Sequence, residues 1–221
     1  MQPLAIIGAG GHGREVLDVV EALNGVAPRY EVVGVVADEA DPELLARRGA
    51  RHLGTVDQLA AGLIAELDRP AELVLAIGDP VTRSVLAQRL EGDGSGWVHR
   101  WADALVHPAA TVGADVELGV GVVVAAGGRI TTNVRVGRHV QVNVNAVVSH
   151  DCRLGDHVTL SPGVLVNGSV SIGPGAFLGT GTIVTPGRSI GAGAVIGAGA
   201  VVVDDVPPGV TAIGVPARWA T

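Results

Sequence analysis

The densest group of reactive side chains is the run Ser149-His150-Asp151. Histidine is the side chain best able to take up a proton near neutral pH. An acid next to it can orient the ring and stabilise its protonated form. Asn143 lies seven residues before His150 and Asn145 five before. His139 and His157 lie eleven before and seven after. A histidine that closes a polar surface turn has the same local pattern, so spacing alone leaves the base and the turn residue both open.

A second cluster sits at the start of the chain. Gly8-Ala9-Gly10-Gly11-His12-Gly13 follows a short apolar run, Leu4 to Ile7, and precedes Val16, Leu17, Val19, Val20 and Leu23 at helical spacing. Strand, glycine turn and helix is the context that gives such a motif meaning. Glycines let the backbone approach a phosphate, and a helix N-terminus offers unpaired N–H groups and the positive end of a dipole. Tyr30 to Ala37 reads as the next strand and ends at Asp38, placed to bond a ribose or base. Val56 to Leu67 reads as a helix, Leu73 to Ile77 as a strand ending at Gly78, Pro80 to Leu90 as a helix opened by proline, and Trp97 to Trp101 as a further strand. The alternation predicts a parallel α/β sheet over residues 1–103. A dinucleotide-binding domain is disfavoured, because about 100 residues hold only half of the usual two-part fold and no hydride-transfer site follows. A single nucleotide, or one carrying a sugar, fits the size better. A packing turn without a ligand stays open.

The histidine cluster must be held by the rest of the chain, and that part has its own period. From Val112 to Val202 an aliphatic residue recurs every six positions, sixteen times without a slip. Glycine often follows it, and a small residue such as Ala146 or Cys152 sits four places on. Six is neither the period of a strand nor that of a helix. It signals a solenoid of short strands and tight turns, three hexads to a triangular coil. Residues 104–221 are therefore expected to form an all-β prism. On an eighteen-residue coil Asn143 does not stack on His150, so a shared site would have to form across a turn or a subunit boundary. His139 and His157 are one coil apart and able to stack. No strong metal-ligand motif accompanies them, and no metal is expected.

Composition removes several classes. The 221 residues carry a net charge of −7 and no lysine, which excludes Schiff-base chemistry. Neither half has the basic footprint of a nucleic-acid binder. Cys152 is the single cysteine, so there is no disulfide framework, and its inward position marks it as a packing residue. His107-Pro108 reads as an ordinary domain boundary. No apolar run is long enough to span a membrane and no signal peptide is visible, so a cytoplasmic location is expected. The prolines of Val206-Pro207-Pro208-Gly209 and Gly214-Val215-Pro216-Ala217-Arg218 should end the solenoid and protect its edge.

The hexads resemble the hexapeptide-repeat acyltransferases. Together with the Gly-Ala-Gly-Gly-His-Gly turn, His150-Asp151, Leu154-Gly155-Asp156, Ala76-Ile77-Gly78 with Arg83, and the closing Gly214 to Arg218, the chain resembles the sialic acid O-acetyltransferase family of bacterial sugar acetyltransferases. The resemblance implies a left-handed parallel β-helix, a homotrimer, and acetyl transfer from acetyl-CoA to an amine on a nucleotide-linked sugar. It implies His150 as general base, Asp151 as the acid beside it and Asn143 as an active-site asparagine. It places the nucleotide sugar on Gly8, Gly10, Gly11, His12, Gly13, Asp38, Gly78 and Arg83, and acetyl-CoA near Thr159, His157 and Gly168. Relatives often carry a histidine where this chain has Thr159, which leaves the acyl contact to Thr159 or His157. O-acetylation of a sugar hydroxyl and a nucleotide-binding trimeric scaffold are the other readings.

Overall fold

The computed structural model describes residues 1–91 and 98–220. The chain forms two compact units, one of residues 1–78 with 82–102 and one of residues 79–81 with 103–221.

The first unit is a five-stranded parallel sheet in the order β3-β2-β1-β4-β5. Its elements are β1 (Gln2–Ile7), α1 (Gly11–Val26), β2 (Tyr30–Val36), α2 (Pro42–Arg47), β3 (His52–Gly54), α3 (Val56–Ala60), β4 (Glu72–Leu75), α4 (Pro80–Glu91) and β5 (Arg100–Trp101). The strand interiors are buried, Leu4, Ile6, Leu73 and Leu75 completely, as expected for a parallel sheet covered on both faces. The helix expected over Val56–Leu67 is shorter. It stops at Ala60, turns through Gly62 at φ 67°, and resumes as a single 3₁₀ turn. α2 and β3 were not foreseen from the apolar pattern. The signal for α2 was local: Asp41 caps it by accepting from the N–H groups of Glu43 and Leu44, and Pro42 opens it. Trp97 lies outside the described residues, and β5 covers only the end of the strand expected there.

The second unit is a left-handed parallel β-helix whose strands stack into three faces. From Leu105 to Val202 the strand pairings are parallel and offset by one coil, for example Arg129 on Val147 and Arg153 on Ser171. Within a coil the chain passes from a first face (Gln141–Val142) to a second (Val147–Val148) to a third (Arg153–Leu154). The aliphatic column from Val124 to Val202 is buried throughout, and so is the small-residue column that contains Ala146 and Cys152. Burying one Val, Leu or Ile stabilises by about 1.5–3 kcal/mol, and this column repeats that gain every sixth residue. The first two members of the column are the exceptions: Val112 is 38% exposed and Leu118 is partly buried. The corners need left-handed backbone. Glycine supplies it at many of them; Asp115, Asn133, His139, Asn145, Asp151, His157 and Ser169 supply it elsewhere, at φ 52–62°. Asn and Asp tolerate that region better than other residues with side chains, which is why polar groups accumulate there.

Candidate active site

His150 and Asp151 lie on the corner between the second and third faces, just after the strand Val147–Val148. Asp151 holds the left-handed backbone of the corner, at φ 62°. Its Oδ2 then lies 2.7 Å from Nδ1 of His150. An ionised carboxylate only accepts, so Nδ1 carries the proton and Nε2 presents its lone pair. The His150 side chain is 60% exposed. Asp151 Oδ1 accepts a second hydrogen bond, from Nδ2 of Asn133 one coil earlier. The bond from His150 and, after it, the bond from Asn133 hold the Asp151 carboxyl below its ordinary pKa.

Gly168 follows one coil after His150, and the Ser169 N–H donates to the His150 carbonyl at 2.8 Å. The imidazole lies over the space that a side chain at 168 would occupy. A Cβ there would sit 2.5 Å from Cε1 and 2.6 Å from Nε2. The absent side chain therefore makes room for the imidazole.

The structure does not bring the remaining expected prism residues to this corner within one chain. Asn143 lies between the first and second faces, and its Nδ2 donates to the Leu160 carbonyl at 2.8 Å. His157 lies between the third and first faces, stacked on His139 with ring centroids 5.2 Å apart. Thr159 is on a strand of the first face and is buried. Cys152 is fully buried, its Sγ 3.1 Å from the Asn167 carbonyl, and burial raises its thiol pKa. No cluster of three or more potential metal-ligating residues occurs among the described residues.

The glycine turn lines a cleft of about 460 Å³ in the first unit, within the range of small-molecule sites. It opens beyond the C-terminal ends of β1, β2 and β4. The strand order reverses between β1 and β4, which is where open α/β sheets bind ligands. Gly8, Gly10, Gly11, His12, Asp38 and Gly78 all line it. The glycines divide by cause. At Gly8, φ is 120° and a Cβ would meet the Ala76 carbonyl at 2.6 Å; at Gly13 it would meet the Gly8 carbonyl at 2.1 Å. Gly8 lets the end of β1 pass close to the end of β4, and Gly13 lets α1 close on β1. Gly10 and Gly11 have open space where a Cβ would go and no left-handed φ. Packing does not demand glycine at either, and their bare backbone faces the cleft.

His12 Nδ1 is 2.9 Å from Glu15 Oε2, one turn along α1. Asp38 lines the cleft and uses Oδ1 to accept the Val56 N–H at 3.0 Å, capping α3. Arg83 takes a supporting place. It is fully buried, and Nη1 donates to the carbonyls of Ile77 at 2.6 Å and Gly78 at 3.1 Å. It thereby fixes the part of the cleft wall that Ile77 and Gly78 form. Asn133 and Glu15 were not singled out from sequence. Their signals are the eighteen-residue offset from Asp151 and the i, i+3 offset from His12.

Residues 3–90 match the PglD N-terminal domain model, and residues 133–168 match the bacterial transferase hexapeptide model of six repeats. The chain is similar over its whole length to perosamine N-acetyltransferase from Caulobacter crescentus, whose structure contains CoA and GDP-perosamine. Identity is 36%, coverage 100% of this chain and 98% of the other, and the TM-score 0.82. The acetyltransferase domain of PglB from Neisseria gonorrhoeae is 30% identical over both full chains, with a TM-score of 0.82. WeeI from Acinetobacter baumannii is 28% identical over both full chains, with a TM-score of 0.81. No curated protein sequence matches the chain.

Proposed function

The chain belongs to the hexapeptide-repeat sugar acetyltransferases, and from that premise we propose that it transfers the acetyl group of acetyl-CoA to the amine of a nucleotide-linked amino sugar. The observation that carries the chemistry is the His150–Asp151 pair, with Nδ1 anchored at 2.7 Å and the ring exposed. The neutral amine attacks the thioester carbonyl carbon. His150 Nε2 takes the N–H proton as the C–N bond forms, the C–S bond breaks, and the proton passes to the departing CoA thiolate. Asp151 stabilises the imidazolium in between. A donor to the developing oxyanion is typically worth about 3 kcal/mol; Thr159 and His157 are the side chains that the family resemblance suggests near the acetyl group. No covalent intermediate on the protein is required, because the thioester is already activated.

The acceptor's nucleotide is held in the cleft of the first unit. Gly10 and Gly11 give its phosphates access to backbone, and the N-terminus of α1 supplies N–H groups. His12 and Asp38 flank it. The perosamine enzyme, with its bound GDP-sugar, supports a nucleotide sugar over a dinucleotide.

A homotrimer completes the site. His150, Asn143 and Thr159 lie on two corners and a face of one prism and do not meet in one chain. Packing prisms side by side sets a corner of one chain against a face of the next. The outward column Val147, Leu165, Ile183 and Val201 on the second face provides an apolar surface for that contact. No helix among the described residues is long and apolar enough to cross a membrane, which suits an enzyme working on water-soluble substrates in the cytoplasm.

The test is CoA thiol release from acetyl-CoA against a panel of GDP-, UDP- and dTDP-linked 4-amino sugars, with free sialic acid included. Release with an amino-sugar nucleotide is expected. Release with sialic acid alone would transfer the reading to O-acetylation, and silence together with no CoA binding would leave a scaffold.

A further inference from the structure

The corner that carries the dyad repeats every eighteen residues, and Asn133 precedes Asp151 in that column. Asp115, Asn133, Asp151 and Ser169 all hold left-handed φ. The main chain is tied from coil to coil: the Asn133 N–H donates to the Ala114 carbonyl at 3.4 Å, and the Asp151 N–H to the Thr132 carbonyl at 3.2 Å. The turn itself asks only for a residue that accepts left-handed backbone. Gly187, further along the same column, meets that need at φ 70°. The side chain of Asn133 does something the turn does not require. Its Nδ2 donates to Asp151 Oδ1 while Asp151 Oδ2 receives Nδ1 of His150.

We propose that Asn133 is a positioning residue for the transfer reaction, locking the Asp151 carboxylate so that Oδ2 faces His150 Nδ1 and Nε2 stays the basic nitrogen. The inference rests on His150 being the base. Asp151 and His150 are both exposed. A carboxylate at such a site turns freely about its Cα–Cβ and Cβ–Cγ bonds unless both oxygens are held, and water competes for each. Two bonds from opposite sides, one from the ring and one from the preceding coil, leave it a single orientation. The preceding coil faces Asp151 with Asn133 and Thr132, and the following coil with Gly168 and Ser169, all neutral. Asp115 is engaged by Arg135 at 3.2 Å. The downward shift of the Asp151 carboxyl, caused first by His150 and then by Asn133, agrees with two donors acting on one carboxylate.

Asn133→Gly is the informative variant, since it keeps the left-handed turn and deletes only the amide. With acetyl-CoA and the amino-sugar nucleotide that wild type uses fastest, kcat is expected to fall about tenfold, the size of one lost net hydrogen bond, with both KM values within about twofold. In an Asp151→Asn background the same change should cost nothing further, because a group acting through Asp151 is silent once Asp151 has lost its charge. Nitrogen NMR of the His150 ring, which needs no substrate, should show one Nδ1–H tautomer in wild type and a mixture in Asn133→Gly. Wild-type kcat, a loss that adds to that of Asp151→Asn, or an unchanged tautomer would each overturn the proposal and return Asn133 to a turn residue. His150→Ala separates the two levels. If it retains its rate, the base assignment falls; if it is dead while Asn133→Gly is normal, only the positioning role falls.

Discussion

Gly168→Ala isolates the placement of the His150 ring, the proposed base, from the stability of the prism. The added Cβ would stand 2.5 Å from His150 Cε1, 2.6 Å from Nε2 and 3.1 Å from Nδ1. Carbon contacts are comfortable at about 3.5–4.0 Å, so the ring must retreat by about 1 Å. Gly168 has no left-handed φ, so alanine brings no backbone strain. The ring is 60% exposed and can swing outward without opening the core, which limits the stability change to about 0.5 kcal/mol. In a protein of this size that is roughly 1–2 °C in Tm. The same 1 Å matters far more to proton transfer, where such a misplacement can cost about 10²-fold. Moving the ring also stretches the 2.7 Å bond to Asp151. The expected outcome is kcat lowered about 10²-fold beside an almost unchanged Tm, read by thiol release and by calorimetry. A wild-type kcat in a folded Gly168→Ala protein would refute the claim that this glycine makes room for a catalytic ring. A fall in Tm of more than about 5 °C would refute the claim that the ring can yield cheaply.

The other corners give contrasting outcomes. Gly121→Ala would place a Cβ 2.2 Å from Nδ1 of the buried His139 and force alanine into φ 69°; left-handed strain of about 1–2 kcal/mol and overpacking of about 1–3 kcal/mol should lower the Tm of the prism by roughly 5–15 °C, checked by calorimetry. Gly11→Ala has open space and a helical position, so Tm should hold while KM for the nucleotide sugar rises about tenfold, or about 1.4 kcal/mol, with KM for acetyl-CoA unchanged. Gly13→Ala, which would meet the Gly8 carbonyl at 2.1 Å, should instead destabilise the first unit. For pH, the folded pKa of Asp151 lies below its ordinary value of 3.8. Its contribution to stability is therefore complete above that value and lost as pH falls through the folded pKa. The Tm difference between wild type and Asp151→Asn should therefore shrink as pH falls below about 4, and a difference that holds unchanged down to about pH 2 would count against the assignment.

How much of this was legible in the sequence depended on whether the signal was periodic or relational. The hexads fixed the prism because each inward aliphatic is a separate vote for the same period, and the column from Val124 on is buried without exception. The glycine turn was legible as a motif, but not the division of labour within it. Gly8 and Gly13 serve packing while Gly10 and Gly11 face the cleft, and only the neighbouring backbone separates the two causes. Asp38 and Arg83 show the same limit. Their positions were marked, yet Asp38 also caps α3 and Arg83 turns inward onto two carbonyls, bonds made with partners that no spacing rule selects. The corner column lies between these cases. Once the coil length of eighteen is known, position 133 is assigned to Asp151 and position 168 to His150 by subtraction alone. Those two offsets carry chemistry because a β-helix converts sequence distance into stacking with a fixed rise of about 4.8 Å per coil. The His150–Asp151 pair, the Asn133 amide behind it and the bare Gly168 beside the ring are thus set in line although 133, 150 and 168 are far apart in the chain. The same rule keeps Asn143 and Thr159 away from His150 in a single prism, since neither is a multiple of eighteen from it, and a second copy of the chain is what would bring them into reach.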